Sequence, residues 1–183
     1  MDKLFTSLKV TDDAVRTALR ATAHYRLLLP KETLHGGLPK STWIFIESGF
    51  IKKTKRGANG VEVYDLLPEG ACVLLTDCST ESEDRMGVCI QATEPTGLYY
   101  LLPGEVDELC GKFPSFGWGH FAFTMVAAAD IQKRTDIWLE APADRFNLVK
   151  NKYPFLLRAG AAFLADYLRL TGKEYTALLA YYN

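Results

Sequence analysis

The stretch "LADYLRLTGKEYTALLAYYN", Leu164 to Asn183, reads as a short helix, a tight turn and a second short helix. That is the outline of a helix-turn-helix, a common device for seating a helix in the major groove of DNA. Leu164, Ala165 and Leu168 give the first helix an apolar face, with a small residue where two helices approach. Thr171 and Glu174 have the T-x-x-E spacing of a capping box, which predicts the start of the second helix. Tyr175, Leu178, Leu179 and Tyr182 follow the i, i+3, i+4, i+7 spacing of its inner face. The outer face is then Lys173, Thr176, Ala177 and Ala180. Only Lys173 and Thr176, with Glu174 beside them, can hydrogen-bond a base edge; alanine can do no more than touch a thymine methyl. The scaffold of a DNA-binding element is stronger here than its reading face.

Upstream lies "APADRFNLVKNKYPFLLRAG". Pro142 suits a first helical turn, Phe146, Val149 and Tyr153 share one face, and Pro154 breaks the helix. A longer helical period runs from Pro114 to Leu139. Trp118, Phe121, Met125, Ala128 and Gln132 are spaced three, four, three and four, a heptad-like seam. Periodicity leaves two readings open. The helix packs on its own domain, or it pairs with its copy in a dimer. Ala127, Ala128 and Ala129 permit close approach, while Gly117 and Gly119 weaken the helix start.

Between residues 30 and 103 short apolar runs alternate with turn residues, the texture of an all-β sandwich or barrel. "TWIFIESGFIKKT" is two strands around a glycine break. "KRGANGVEVYDLL" carries the Asn59-Gly60 hairpin signal. "LPEGACVLL" follows a turn, and "MGVCIQATEPTGLYYLL" holds two more strands. Ahead of them, residues 11–29 read as one helix, capped around Thr11, Asp12 and Asp13 and ended by Pro30.

Of the 183 residues, 48% are hydrophobic and 23% charged, an ordinary globular balance that excludes global disorder. No apolar run approaches membrane-spanning length, and "MDKLFTSLKVTDD" has no signal-peptide pattern. A cytoplasmic location and no membrane partner are the expectation. The net charge is -1, but residues 141–183 carry +3 and the remainder -4. That sign suits a tail that meets nucleic acid. Cys72, Cys78, Cys89 and Cys110 form no C-x-x-C pair and read as reduced, mostly buried thiols. His24, His35 and His120 lack zinc spacing, so neither a metal site nor a cofactor is implied. The common enzyme motifs are missing as well.

The order helix, β-roll, long helix, small helical tail resembles the Crp/Fnr family of cyclic-AMP receptor-like transcription regulators. The resemblance spans nearly the whole chain. It rests on "IFIESGFIKK" (Ile44–Lys53), "GVEVYDLLPEG" (Gly60–Gly70) and above all "DRFNLVKNKYPFLLRAGAAFLADYLRLT" (Asp144–Thr171), which is similar to the family's "ERY..L...YP.L......IA.YLGIT" run. It implies an α+β fold in three parts. Residues 1–113 would be a cyclic-nucleotide-binding-like β-roll of jelly-roll type, 114–139 a dimerisation helix, and 140–183 a helix-turn-helix domain. The implied function is a non-enzymatic, homodimeric transcription regulator. The alternative is a sensor or interaction protein that kept the architecture and lost the base-reading residues.

The resemblance also marks departures. The effector pocket would fall at Gly70, Cys72, Leu74, Leu75, Arg85, Met86 and Gly87. Leu74 and Leu75 stand where the family's Gly-Glu pair holds a ribose, and Met86 where an arginine grips the cyclic phosphate. A buried ligand left without polar partners loses kilocalories. Cyclic AMP is therefore not expected as the effector, and the effector is unknown. In the tail, Thr176-Ala177 replaces the family's usual Ser-Arg, and Arg169 replaces the turn glycine. Arg169, Lys173, Arg158 and Lys150 are the expected phosphate contacts, which position a protein on DNA without specifying sequence.

Overall fold

The computed structural model describes residues 1–34, 38–57, 60–75 and 88–182. The sequence features at His35, Asn59, Cys78, Arg85, Met86 and Gly87 lie outside the described residues. The fold is α+β, as the resemblance implied. Helix α1 (Asp2–Ser7) is followed by α2 (Asp13–Thr22). The Asp12 carboxylate accepts the Ala14 N–H at 2.8 Å and caps α2, whose inner face is Val15 and Leu19.

The single helix expected over 11–29 is a correction. It stops at Thr22, and the chain continues as strand β1 (His24–Leu28). From His24 onward the apolar period is two, not 3.6. Leu28 is buried, while Tyr25 and Leu27 face outward. Antiparallel pairing with Thr96–Leu101 then satisfies the β1 backbone.

Strands β2 (Trp43–Ser48), β5 (Cys72–Leu74) and β7 (Thr96–Leu101) join β1 in a four-stranded antiparallel sheet ordered β1-β7-β2-β5. Strands β3 (Phe50–Gly57), β4 (Gly60–Pro68) and β6 (Val88–Ala92) form a second sheet ordered β4-β3-β6. Gly49 carries the chain from one sheet to the other at φ +92°, and a Cβ there would lie 2.5 Å from Thr96 Oγ1, so only glycine fits. In the β3–β4 hairpin the register shifts between Lys53 and Thr54, which leaves Tyr64 as a bulge.

The helices after the sheets are α3 (Pro103–Lys112), α4 (Phe116–Leu139), α5 (Pro142–Lys152), a 3-10 turn (Pro154–Ala159), α6 (Ala161–Leu168) and α7 (Gly172–Tyr182). Helices α1 and α3 were not legible from periodicity. Helix α1 spans six residues, under two turns, and α3 spans ten. Helix α4 forms through both of its early glycines. Gly119 is buried, and an added Cβ would press on the Phe116 ring at 3.3 Å while meeting Val10 Cγ2 of the α1–α2 connection at an ordinary 3.6 Å.

Three apolar clusters hold these layers, each fully buried large side chain contributing about 1.5–3 kcal/mol. Trp43, Phe45 and Leu101 on the outer face of the larger sheet pack with Val15, Leu19, Phe116 and Phe123. Ile44, Ile46, Ile51, Leu67, Ile90 and Leu98 fill the space between the sheets. Phe50, Val63 and Leu66 on the outer face of the smaller sheet pack with Ile137, Leu156, Leu164, Tyr167 and Leu178. The tail is therefore seated on the smaller sheet. Among the described residues no helix is long and apolar enough to cross a membrane, and no cluster of metal-ligating groups occurs.

Candidate functional site

The tail is built around one turn. Helix α6 ends with Leu170 N–H donating to Ala165 O at 2.9 Å and Arg169 N–H to Asp166 O at 3.0 Å, the two bonds of a Schellman motif. That motif needs a left-handed residue, and Arg169 takes the position at φ 54° and ψ 47°. A non-glycine residue there costs about 1 kcal/mol. The Arg169 guanidinium offsets part of this by lying 3.9 Å from the Trp138 ring centre. Trp138 is itself fixed, its indole N–H donating to Tyr167 O at 2.8 Å. Arg145 completes the clip, donating to Glu140 O, Leu168 O and Trp138 O at 2.9–3.0 Å. These bonds satisfy carbonyls at the ends of α4 and α6, which no helical partner reaches.

Helix α7 presents the two faces expected. Leu178 is fully buried, and Tyr175 and Leu179 are half-buried. Tyr182 is exposed but latched, its hydroxyl donating to Leu157 O. Lys173, Thr176, Ala177 and Ala180 are all exposed, and Glu174 is half-buried. Helix α7 starts at Gly172, directly after Thr171, where the T-x-x-E spacing put it. The capping bond itself is a correction: the Thr171 hydroxyl has no hydrogen-bond partner among the described residues, and Gly172 opens the helix at φ +57°. Thr176 bonds back to Gly172 O at 3.2 Å, within its own helix.

The four expected phosphate-contacting cations are placed unequally. Arg169 and Lys173 sit in the turn and on the outer face of α7, both exposed, and Lys173 has no ion-pair partner among the described residues. Lys150 is exposed on α5, 5.2 Å from the Tyr181 ring centre. Arg158 is turned the other way. It pairs with Glu94, between β6 and β7, and binds the tail to the roll.

The pocket candidates are divided by the two-residue period of β5. Leu75 is buried between the sheets with Val73. Cys72 faces the helical layer, and burial pushes its thiol up to about 12. Leu74 is partly exposed and Gly70 occupies a turn at φ +84°. Cys72, Leu74 and Gly70 are thus not brought together between the sheets. Arg85, Met86 and Gly87 lie outside the described residues. Cys72, Cys89 and Cys110 are free thiols.

On α4 the structure separates two faces. Phe116, Phe123, Lys133, Arg134 and Ile137 are buried against the chain's own layers. Trp118, Phe121, Met125, Ala128 and Gln132 form an uncovered stripe, Trp118 being 75% exposed. The same spacing continues through Thr135 to Leu139, itself 80% exposed. Leu139 was legible as the next seam position but fell outside the five residues read. The helix therefore both packs on its own domain and leaves an apolar seam open.

One constellation was not read from the sequence. Asp65 on β4 is buried beside Arg134, with Oδ2 3.3 Å from Nη1, and its Oδ1 accepts the Leu66 N–H at 3.0 Å. Arg134 also donates to the Tyr64 hydroxyl at 2.9 Å. Lys133 pairs with Asp130 at 2.8 Å. Burial pushes the Asp65 carboxyl above its ordinary value, against the pull of Lys133 and Arg134. Beside this cluster, the Val63 N–H next to the bulge donates to Asp166 Oδ2 on α6 at 2.8 Å. The signal available was a charge inside the apolar run "VYDLL".

No protein-family model matches the sequence, and no curated protein matches it. Solved structures do. A transcriptional regulator of the Crp/Fnr family from Eubacterium rectale is 14% identical, with a TM-score of 0.64 over 98% of this chain and 87% of that one. The regulator CLP of Xanthomonas campestris, described as c-di-GMP-responsive, is 15% identical, with a TM-score of 0.64 over 93% and 91%. FixK2 from Bradyrhizobium japonicum is 12% identical, with a TM-score of 0.63 over 87% and 84%.

Proposed function

We propose that this chain, which has the fold of the Crp/Fnr regulators, is a homodimeric regulator that holds DNA through its tail with weak sequence selectivity. In this reading residues 1–113 are a sensor roll, 114–139 the dimerisation helix and 140–183 the DNA-binding part. The observation that carries it is the tail itself. Helices α6 and α7 are locked around the Arg169 turn, and the outer face of α7 is wholly uncovered. Its chemistry sets the kind of binding. Lys173 and Arg169 neutralise phosphates and release counterions, so affinity falls steeply with salt. Ala177 and Ala180 report nothing by hydrogen bonds, so each half-site lacks the roughly 1–3 kcal/mol of discrimination a bidentate contact supplies.

The test is a titration against specific and scrambled duplexes at two salt concentrations. Lys173→Ala and Arg169→Ala are expected to weaken all duplexes alike, whereas Ala177→Arg sharpens selectivity. Nanomolar binding to one operator that barely responds to salt overturns this reading of the tail. An absence of binding at low salt favours the second reading, a sensor or interaction protein, for which the alanine face of α7 is the motivating observation.

Cyclic AMP is not the effector in this reading. Leu75 fills space between the sheets, and neither it nor Leu74 offers a ribose acceptor. A ligand at a hundred times its Kd adds about 2.7 kcal/mol of stability. The Tm is expected to be unchanged in millimolar cyclic AMP, and a rise of several degrees contradicts the proposal.

A further inference from the structure

An open trough of about 710 Å³ lies between α4 and the segment joining α1 to α2. One wall is Val10, Thr11 and Val15; the other is Trp118 and Met125. Its floor is shallow-sided because Ala122 and Ala129, seven residues apart on the flank of the seam, carry only methyl groups. Trp118 and Phe121, in edge-to-face contact at 6.5 Å between centroids, stand at its rim largely uncovered.

We propose that this trough takes the Trp118–Phe121 pair of a second copy of the chain, so that the Lys9–Val15 segment is part of the dimer interface. The inference rests on the reading of α4 as the dimerisation helix. Two helices paired along the seam lie about 8–10 Å apart, and Ala128 sets the close end of that range. At the close end of that range a tryptophan side chain on the axis would hold the two helices apart. In this arrangement Trp118 turns off the axis toward a flank, which lets the helices close. The flank with room is the one bearing Ala122 and Ala129. A two-fold axis along the seam makes the arrangement reciprocal, each copy filling the other's trough. Three residues, Trp118, Phe121 and Met125, belong to both trough and seam, which makes the trough continuous with the helix pair. The occupant is thus a large aromatic pair supplied at the same height by the partner helix, and its burial covers the apolar surface that a monomer exposes.

The experiment places a photoreactive benzophenone side chain at Thr11, which is exposed at the trough rim, in the full-length protein. A second protein carries the same probe at Met125. Each is mixed with isotopically heavy protein, so that mass spectrometry separates links between copies from links within one. The expected result is a link from position 11 to the 117–125 segment of the other copy, alongside linked dimers from position 125. Linked dimers from 125 with only intramolecular links from 11 overturn this inference and leave the helix pairing standing. The absence of linked dimers from both sites overturns the pairing and this inference together. A monomer whose native mass carries a bound small molecule, with position 11 silent toward a second copy, also overturns it.

Discussion

Replacing Met125 with glutamate is expected to convert a dimer into a monomer. Met125 lies at the middle of the Trp118, Phe121, Met125, Ala128, Gln132 seam, on the face of α4 that its own layers leave uncovered. In a symmetric pair the two copies of this residue meet across the axis. Met125→Glu then buries two acidic side chains with no partner, and each costs about 1–3 kcal/mol even when it protonates to the neutral acid. Together they raise the Kd at least about thirtyfold, since each 1.4 kcal/mol is about tenfold. The fold of the single chain is unaffected, because Met125 is exposed there. Light scattering after gel filtration is expected to give twice the chain mass of 20.4 kDa for the native protein and the single mass for the variant. Met125→Leu conserves volume and keeps the dimer. A native protein that is monomeric at micromolar concentration sinks the reading of α4, and an intact Met125→Glu dimer moves the interface elsewhere.

Arg134→Met is expected to be strongly destabilising. It leaves Asp65 buried and deprives it of a guanidinium at 3.3 Å, while Tyr64 loses its hydrogen bond. Breaking one side of a buried pair costs about 3–5 kcal/mol. For a chain of this size that lowers Tm by about 10 °C. The loss depends on pH with a definite sign. Burial already raises Asp65 above its ordinary 3.8, and removing Arg134 takes away one of the cations that hold it down. A carboxyl with a raised folded pKa gives its full stabilisation below 3.8 and loses it as pH rises through the folded value. The deficit of the variant is therefore small near pH 4 and widens toward pH 8. Melting curves across that range check it, and a deficit independent of pH refutes the role given to Asp65. Adding Asp65→Asn removes the lone charge and recovers most of the loss at neutral pH.

Much of this molecule could be read along the chain because the signals are local. Strands around Gly49, the hairpin into Gly60, the helix over Phe116–Leu139 and the two short helices of the tail each follow from apolar period and turn residues a few positions apart. The outer face of α7 follows in the same way, because Leu178 and its neighbours fix which side turns inward. The misreadings have the same origin. At Thr22–His24 a helical period passes into a strand period with no proline or glycine between, and only the pairing of β1 with β7 decides the change.

What the sequence by itself determined was the seam of α4 and the two faces of the tail, built from local spacings, and, through the family resemblance over nearly the whole chain, the α+β fold class. The tertiary structure alone decided that both faces of α4 exist at once, one buried and one open. It alone brought Asp65 to Arg134 across 69 positions, Val63 to Asp166 across 103 and Arg158 to Glu94 across 64. The physical reason is that these partners meet only across folded layers; the Asp65–Arg134 pair owes its worth to burial and exclusion of water, while Arg158–Glu94 stays exposed. Those layers form only when α4 and the tail have been laid on the smaller sheet, and no spacing along the chain encodes them.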